Sequence, residues 1–307
     1  MKQYLKYFLL IILILCILLS PFCKISKKEW FLDTECKKTI HLIWRNKIKE
    51  SKTNHGFGDK LRGAIFLNQY CKKNKINLNI DATDDICSKY LKNVVSSEYD
   101  IIKNKKIINL GDKTNNEIKE TIEKLLLEQN IIYIYCNGYP NELTEDDKNF
   151  AKYICEPQDD LMDEINKKLK DLPNNFGIKH FRFNDNIFNT DITIDNKLFK
   201  KYYDLLLANN RKSDILFTNS NNFKTYAKEN LKIKTIDCNN ELCKIQHTGE
   251  SSDEESVKNS FIEFLILSKA KYITSYSCYD WASNFVKWPS KIYDIPFYNV
   301  YVNENII

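Results

Sequence analysis

Short apolar strand-like runs alternate with helical stretches along this chain, and that alternation constrains its fold more than any other feature. "TIHLIW" (39–44), "INLNID" (76–81), "KIINL" (106–110) and "IIYIYC" (131–136) carry the Ile-, Leu- and Tyr-rich content of short buried strands. Between them lie "KLRGAIFLNQYCKKN" and "NNEIKETIEKLLLEQ", which read as helices. A second series follows Pro173: "FGIKHFRF", "DILFT" (214–218), "IKTID" (233–237) and "KYITS" (271–275), separated by helical segments near 195–209, 221–230 and 254–270. Strands alternating with helices build parallel sheets wrapped on both faces. The fold class expected is therefore α/β, with two Rossmann-like halves at residues 30–172 and 173–307. Just before the boundary, "LTEDDKNFAKYICEPQDDLMDEINKKLKDL" reads as two helices broken at Glu156-Pro157.

Residues 1–29 differ in kind. "YFLLIILILCILLSPFC", Tyr7 to Cys23, is uncharged and nearly all apolar, flanked by Lys2 and Lys6 before and by Lys24, Lys27 and Lys28 after. At about 17 residues it sits at the lower limit of a transmembrane helix and is slightly long for a signal-peptide core. No cleavage site of small residues follows it, which favours an uncleaved anchor over a cleaved signal. Lysines on both sides leave the orientation open by the positive-inside rule. A lone N-terminal anchor ahead of a large folded part favours a single-pass, type II arrangement, with that part in the ER or Golgi lumen or its equivalent.

Composition excludes several classes. A hydrophobic fraction of 43% over 307 residues is ordinary for a folded chain, not a disordered one. The 46 basic and 41 acidic residues are interspersed, so nothing marks a nucleic-acid partner. Four histidines, no C-x-x-C and no H-E-x-x-H argue against a zinc site. Eight of the ten cysteines lie beyond the apolar segment, compatible with disulfides in an oxidising lumen, and Cys238 and Cys243 are spaced to close a short loop. There is no N-x-[ST] sequon.

In open α/β sheets ligands sit at the carboxyl ends of the strands, and three stretches fall there. "NHGFGDKLRGAIF" (54–66) has Gly56 and Gly58 ahead of a helix; the backbone can turn tightly and aim N–H groups at an anion, or Asp59 is simply an N-cap. "GIKHFRFND" (177–185) sets His180 and Arg182 on one face by the two-residue strand period, with Asp185 just past the strand end. Arg182 can grip a phosphate in bidentate fashion; the alternative is a strand-edge ion pair. "SKAKYITSYSCYDWASN" (268–284) ends a strand in Ser275-Tyr-Ser277 and opens a helix near Asp280, so the two serines either meet phosphate oxygens or cap a turn.

Taken in order, "GFGDKLRG", "HFRFND" and "FLILSKAKYITSYSCYDWA" resemble the GT-B-fold fucosyltransferases, the group of α1,6-fucosyltransferases, nodulation-factor fucosyltransferases and protein O-fucosyltransferases. The resemblance spans roughly residues 39 to 300 and implies two halves facing a cleft. It implies a nucleotide-sugar donor, GDP-fucose or another, with no other cofactor and no metal, and a glycan or glycoprotein acceptor. Arg182, with His180 beside it, would hold the pyrophosphate; Ser277 or Ser275 would meet the phosphates from the other side. Gly56, Gly58 and Asp59 would line the cleft from the first half. Two positions depart from the family's pattern: Asn219 follows Thr218 where an Asp is usual in the step that reads the nucleotide, and Phe183 replaces an Arg.

The chemistry implied is an inverting displacement. A fixed Arg and helix-end N–H groups stabilise the charge that builds on the departing diphosphate. The chain has no Asp-x-Asp, the usual carrier of a metal–nucleotide site in the other large glycosyltransferase fold. Asp59 and His55 are the candidate bases for the acceptor hydroxyl. The rival readings are a membrane-anchored nucleotide- or glycan-binding protein of the same fold without turnover, which the departures at Phe183 and Asn219 favour, and a transferase using a different nucleotide sugar.

Overall fold

The computed structural model describes residues 38–45, 56–95, 104–188, 190–238, 241–245 and 253–303. The apolar segment read as an anchor, and His55, lie outside them. Among the described residues no helix is long and apolar enough to cross a membrane. All of them belong to one compact unit, Lys37–Ile307.

In chain order the elements are β1 (Thr39–Ile43), α1 (Phe57–Asn74), β2 (Asn77–Asp81), β3 (Ile108–Asn109), α2 (Asn115–Glu128), β4 (Ile131–Tyr135), α3 (Glu145–Ile154) and α4 (Asp159–Lys170). There follow β5 (Gly177–Arg182), α5 (Lys197–Asn209), β6 (Asp214–Thr218), α6 (Asn221–Leu231), β7 (Asp237–Cys238), β8 (Glu241–Leu242), α7 (Glu254–Ile266), β9 (Tyr272–Ser277), α8 (Asn284–Ile292) and β10 (Phe297–Tyr301). Two parallel sheets result, ordered β2-β1-β4-β3 and β10-β9-β5-β6. Parallel strands need a crossover, and the intervening helices supply it. β7 and β8 form a small antiparallel hairpin that the Cys238–Cys243 disulfide closes.

Two of the strands depart from the sequence expectation. "IKTID" makes only a single bridge, Lys234 to Ile215, before the chain turns into the β7–β8 hairpin. The outer strand beside β9 is instead "FYNVY" (297–301), whose residues are mostly exposed and so carry no buried-strand signature.

Helix α1 is the pivot of the packing. Nearly every residue from Phe57 to Leu67 is buried, because the helix is covered by the first sheet on one side and by α3 and α8 on others. Its buried polar groups are each satisfied. Lys60 pairs with Asp85, the Arg62 Nε donates to the Asn137 carbonyl at 2.7 Å, and Asn68 Nδ2 donates to Asp147 Oδ1 at 3.3 Å. Close approach makes one position non-negotiable: a Cβ at Gly63 would lie 1.9 Å from the Cys136 carbonyl oxygen. The helix meets the backbone after β4 there, and no side chain fits.

The second sheet divides its side chains by strand alternation. Ile178 of β5 joins the core shared with the first half, whereas Phe181 and Phe183 enter an aromatic cluster with Tyr202 and Phe223 under α5 and α6. His180 and Arg182 are left on the other face. α8 then leaves β9 and packs against α1 and α3 of the first half.

Candidate functional site

β5 ends with Arg182 at its carboxyl edge, between β6 and β9. Beyond that edge lies a cavity of about 360 Å³, walled by residues of both halves of the chain. His180, Arg182, Asp185, Thr218 and Asn219 line it from the second half; Gly56 and Asp59 line it from the first. The structure thus brings most of the sequence-predicted residues to one place, with three exceptions among the described residues. Gly58, Ser275 and Ser277 do not line the cavity.

The reasons differ. Gly56 has φ −69° and ψ 168°, values open to any residue, and among the described glycines none has positive φ. The glycines are therefore not there for an unusual turn, which corrects the sequence reading. Gly58 is required by space: a Cβ would stand 2.8 Å from the Asn284 carbonyl carbon. Ser275 and Ser277 are fully buried in β9. Ser275 Oγ lies 3.1 Å from His180 Nδ1, and Ser277 Oγ accepts the Tyr279 backbone N–H at 3.1 Å. The serines shape the site from behind. The helix expected near Asp280 starts at Asn284, after a turn in which Ala282 adopts φ 66°.

His180 is buried, and its pKa is lowered to about 3, mostly by burial and further by the Arg182 guanidinium. It is a neutral ring at any ordinary pH, braced by Ser275 and stacked near Phe285. Arg182 pairs with Asp185, whose other carboxylate oxygen accepts from Tyr279 Oη at 3.2 Å. The tyrosine's pKa is pushed up to about 12 by burial, with Asp185 contributing, so it stays a donor. Asn219 turns both ends of its amide to the Phe183 peptide: Oδ1 accepts from N–H at 2.8 Å and Nδ2 donates to the carbonyl at 3.1 Å. The two departures noted in the sequence are thus linked, Phe183 in the aromatic core and Asn219 locking its backbone.

Two helices begin at the cavity without a side-chain cap. α1 is preceded by Gly56 and α8 by Ser283, neither making a side-chain cap bond. The helix dipole favours negative charge at such ends. The two ends are tied together, since Asn284 Nδ2 donates to Asp59 Oδ1 at 2.9 Å and Arg62 Nη1 lies 3.3 Å from the same oxygen.

Sequence reasoning missed Arg62 and Glu263. Both line the cavity, yet their partners are distant in sequence: Asn137 for Arg62, and Lys224 for Glu263. Glu263 is 1% exposed, and burial raises its pKa against the opposing pull of Lys224, which also donates to the Cys243 carbonyl at 3.2 Å. Lys224 engages Oε1 of this carboxylate, which borders the cavity. Among the described residues no cluster of three or more His, Cys, Asp or Glu side chains is arranged to hold a metal.

No protein-family model matches the chain, and no curated protein sequence matches it. Solved structures do match by fold. A mutant of Arabidopsis thaliana FUT1 in complex with GDP superposes with a TM-score of 0.54 at 9% identity, over 88% of this chain and 71% of that one. The NodZ α-1,6-fucosyltransferase co-crystallised with GDP gives 0.52 at 12% identity, over 82% and 91%. The Bradyrhizobium fucosyltransferase NodZ gives 0.50 at 11% identity, over 82% and 92%. The chain has a GT-B fucosyltransferase-like α/β fold with parallel sheets.

Proposed function

We propose that this protein is a glycosyltransferase that takes fucose from GDP-fucose and passes it to a hydroxyl of a glycan or protein. One observation carries the reading: Arg182 and the uncapped N-termini of α1 and α8 open into the same cavity. A guanidinium and two sets of helix-end N–H groups are what a diphosphate requires. The fold's likeness to fucosyltransferases solved with GDP supports the choice of nucleotide. So does Glu263, because guanine presents two donors, N1–H and the 2-amino group, that a buried carboxylate accepts and that uracil and adenine lack as a pair.

In the reaction the bond between the sugar's anomeric carbon and the diphosphate oxygen breaks while the acceptor oxygen attacks from the opposite face. The charge leaving with GDP falls on Arg182 and the helix ends, which are already in place and need no reorganisation. His180, neutral and wedged between Ser275 and Phe285, orients the diphosphate by a hydrogen bond rather than by charge. The acceptor proton goes to Asp59, the carboxylate at the cavity wall on the first half, with Arg62 and Asn284 fixing its position. This course is inverting and uses no metal. The apolar Tyr7–Cys23 segment supports a membrane-tethered enzyme, and a lone anchor ahead of a large folded part favours placing that part in a lumen.

The test is release of GDP from GDP-fucose, measured with and without a panel of glycan and hydroxyl-bearing peptide acceptors, beside GDP-mannose and UDP-galactose. Acceptor-stimulated release from GDP-fucose alone is expected, and Asp59→Asn should abolish it while retaining GDP binding. Release from UDP-galactose in preference would overturn the donor assignment.

A further inference from the structure

The mouth of the cavity carries aromatic rings on both sides, and neither set is needed to hold a diphosphate. On the second half Tyr279 and Trp281 are stacked, centroids 5.2 Å apart at 25°, and Trp281 remains 56% exposed. On the first half Tyr139 is 51% exposed with the Arg62 guanidinium 3.8 Å from its ring centroid. Large apolar faces left to water are costly unless something covers them. The backbone that carries them is held by side chains. Lys287 Nζ donates to the Trp281 carbonyl at 3.1 Å. Asn115 clasps the Tyr139 backbone from both sides, accepting from its N–H at 2.8 Å and donating to its carbonyl at 2.7 Å. A backbone held in advance lowers the entropy lost when a ligand arrives.

Resting on the nucleotide-sugar reading above, we infer that the acceptor is a carbohydrate, with sugar rings laid on Trp281 and Tyr139 at the cavity mouth. A pyranose has a face of C–H groups and a girdle of hydroxyls. Aromatic faces take the former, and the carboxylates set among them, Asp59 and Asp185, accept from the latter. A lipid acceptor would want a continuous apolar lining, which two carboxylates interrupt. A peptide acceptor would want unpaired backbone donors and acceptors beside the cleft, whereas the Tyr139 backbone groups are already taken by Asn115.

Trp281 is the exposed tryptophan among the described residues, because Trp44 and Trp288 are 0% and 2% exposed, and Trp30→Phe in every sample removes the fourth from the signal. The full-length protein, saturated with GDP, is titrated with di- to tetrasaccharides built of N-acetylglucosamine, galactose, mannose or glucose, and with serine- and threonine-containing peptides. Acrylamide quenching is followed in each case. At least one saccharide is expected to shield Trp281. Calorimetry should then show its affinity reduced about tenfold or more in Trp281→Ala and in Tyr139→Ala, with GDP affinity unchanged. Shielding by a peptide and by no saccharide, or saccharide binding indifferent to both substitutions, would overturn the inference. Failure of the unaltered protein to bind GDP would strike the nucleotide reading itself, and this inference with it.

Discussion

Gly58 and Asn284 touch so closely that the first residue of α8 and the first turn of α1 share one patch of backbone: a Cβ on Gly58 would lie 2.8 Å and 2.9 Å from the Asn284 carbonyl carbon and oxygen. This contact, though 226 positions apart in sequence, sets two helix N-termini side by side at the cavity wall. The Asn284–Asp59 hydrogen bond at 2.9 Å repeats the link through side chains.

Enlarging Gly58 should therefore part the two ends. Gly58→Ala is expected to lower stability by about 1–3 kcal/mol, the usual cost of overpacking a close contact. GDP affinity should fall about tenfold or more, because the N–H groups no longer converge. Thermal melting and nucleotide titration of the one variant check both. A variant that melts lower yet binds GDP as before would separate the contact from the site.

The period-two pattern of "GIKHFRF" made the face shared by His180 and Arg182 legible in the sequence, and the burial of Phe181 and Phe183 on the opposite face follows from the same alternation. The helices at 57–74, 115–128 and 221–231 were legible for a similar reason, since their patterns are local. Arg62 and Glu263 were not. Each earns its place through contacts across 75 and 39 positions, which no local period encodes. The outer strand "FYNVY" was missed because its pairing with β9 buries little of it, and the true start of α8 because an alanine takes the left-handed turn that a glycine or asparagine would have announced.

His180 ties stability to pH. Folded, it stays neutral down to about pH 3; unfolded, it titrates near 6.5. The unfolded chain thus takes up a proton first, so the contribution is complete above pH 6.5 and is lost as the pH falls toward the folded value. Between pH 7 and pH 5 this loss should amount to about 2 kcal/mol. Urea unfolding of His180→Gln at the two pH values should show a fall smaller by that amount. Equal falls would mean the ring is not held neutral.

Asn219 offers a counter-intuitive test. Restoring the acidic residue that related sequences are expected to carry, by Asn219→Asp, removes the donor that reaches the Phe183 carbonyl and sets a carboxylate beside it. The expected result is a loss of about 1–3 kcal/mol rather than a gain in nucleotide binding. Denaturant melts and GDP titration of the variant decide between the two.

The Lys224–Glu263 pair is nearly inaccessible, its side chains 1% and 2% exposed. Glu263→Ala should cost about 3–5 kcal/mol because it strands a buried ammonium. Replacing both residues together, by Lys224→Met with Glu263→Leu, should recover most of that loss while abolishing preference for guanine. Chemical denaturation of the single and double variants tests the first point, and competition between GDP and UDP the second.

The most direct measurement is calorimetric binding of GDP to the full-length protein, to Arg182→Ala and, as a control, with UDP in place of GDP. Micromolar binding of GDP is expected, weakened about a hundredfold or more in Arg182→Ala, with UDP silent. A folded protein that binds neither nucleotide, or that binds GDP equally well without the Arg182 guanidinium, would contradict the assignment of this cavity to a nucleoside diphosphate.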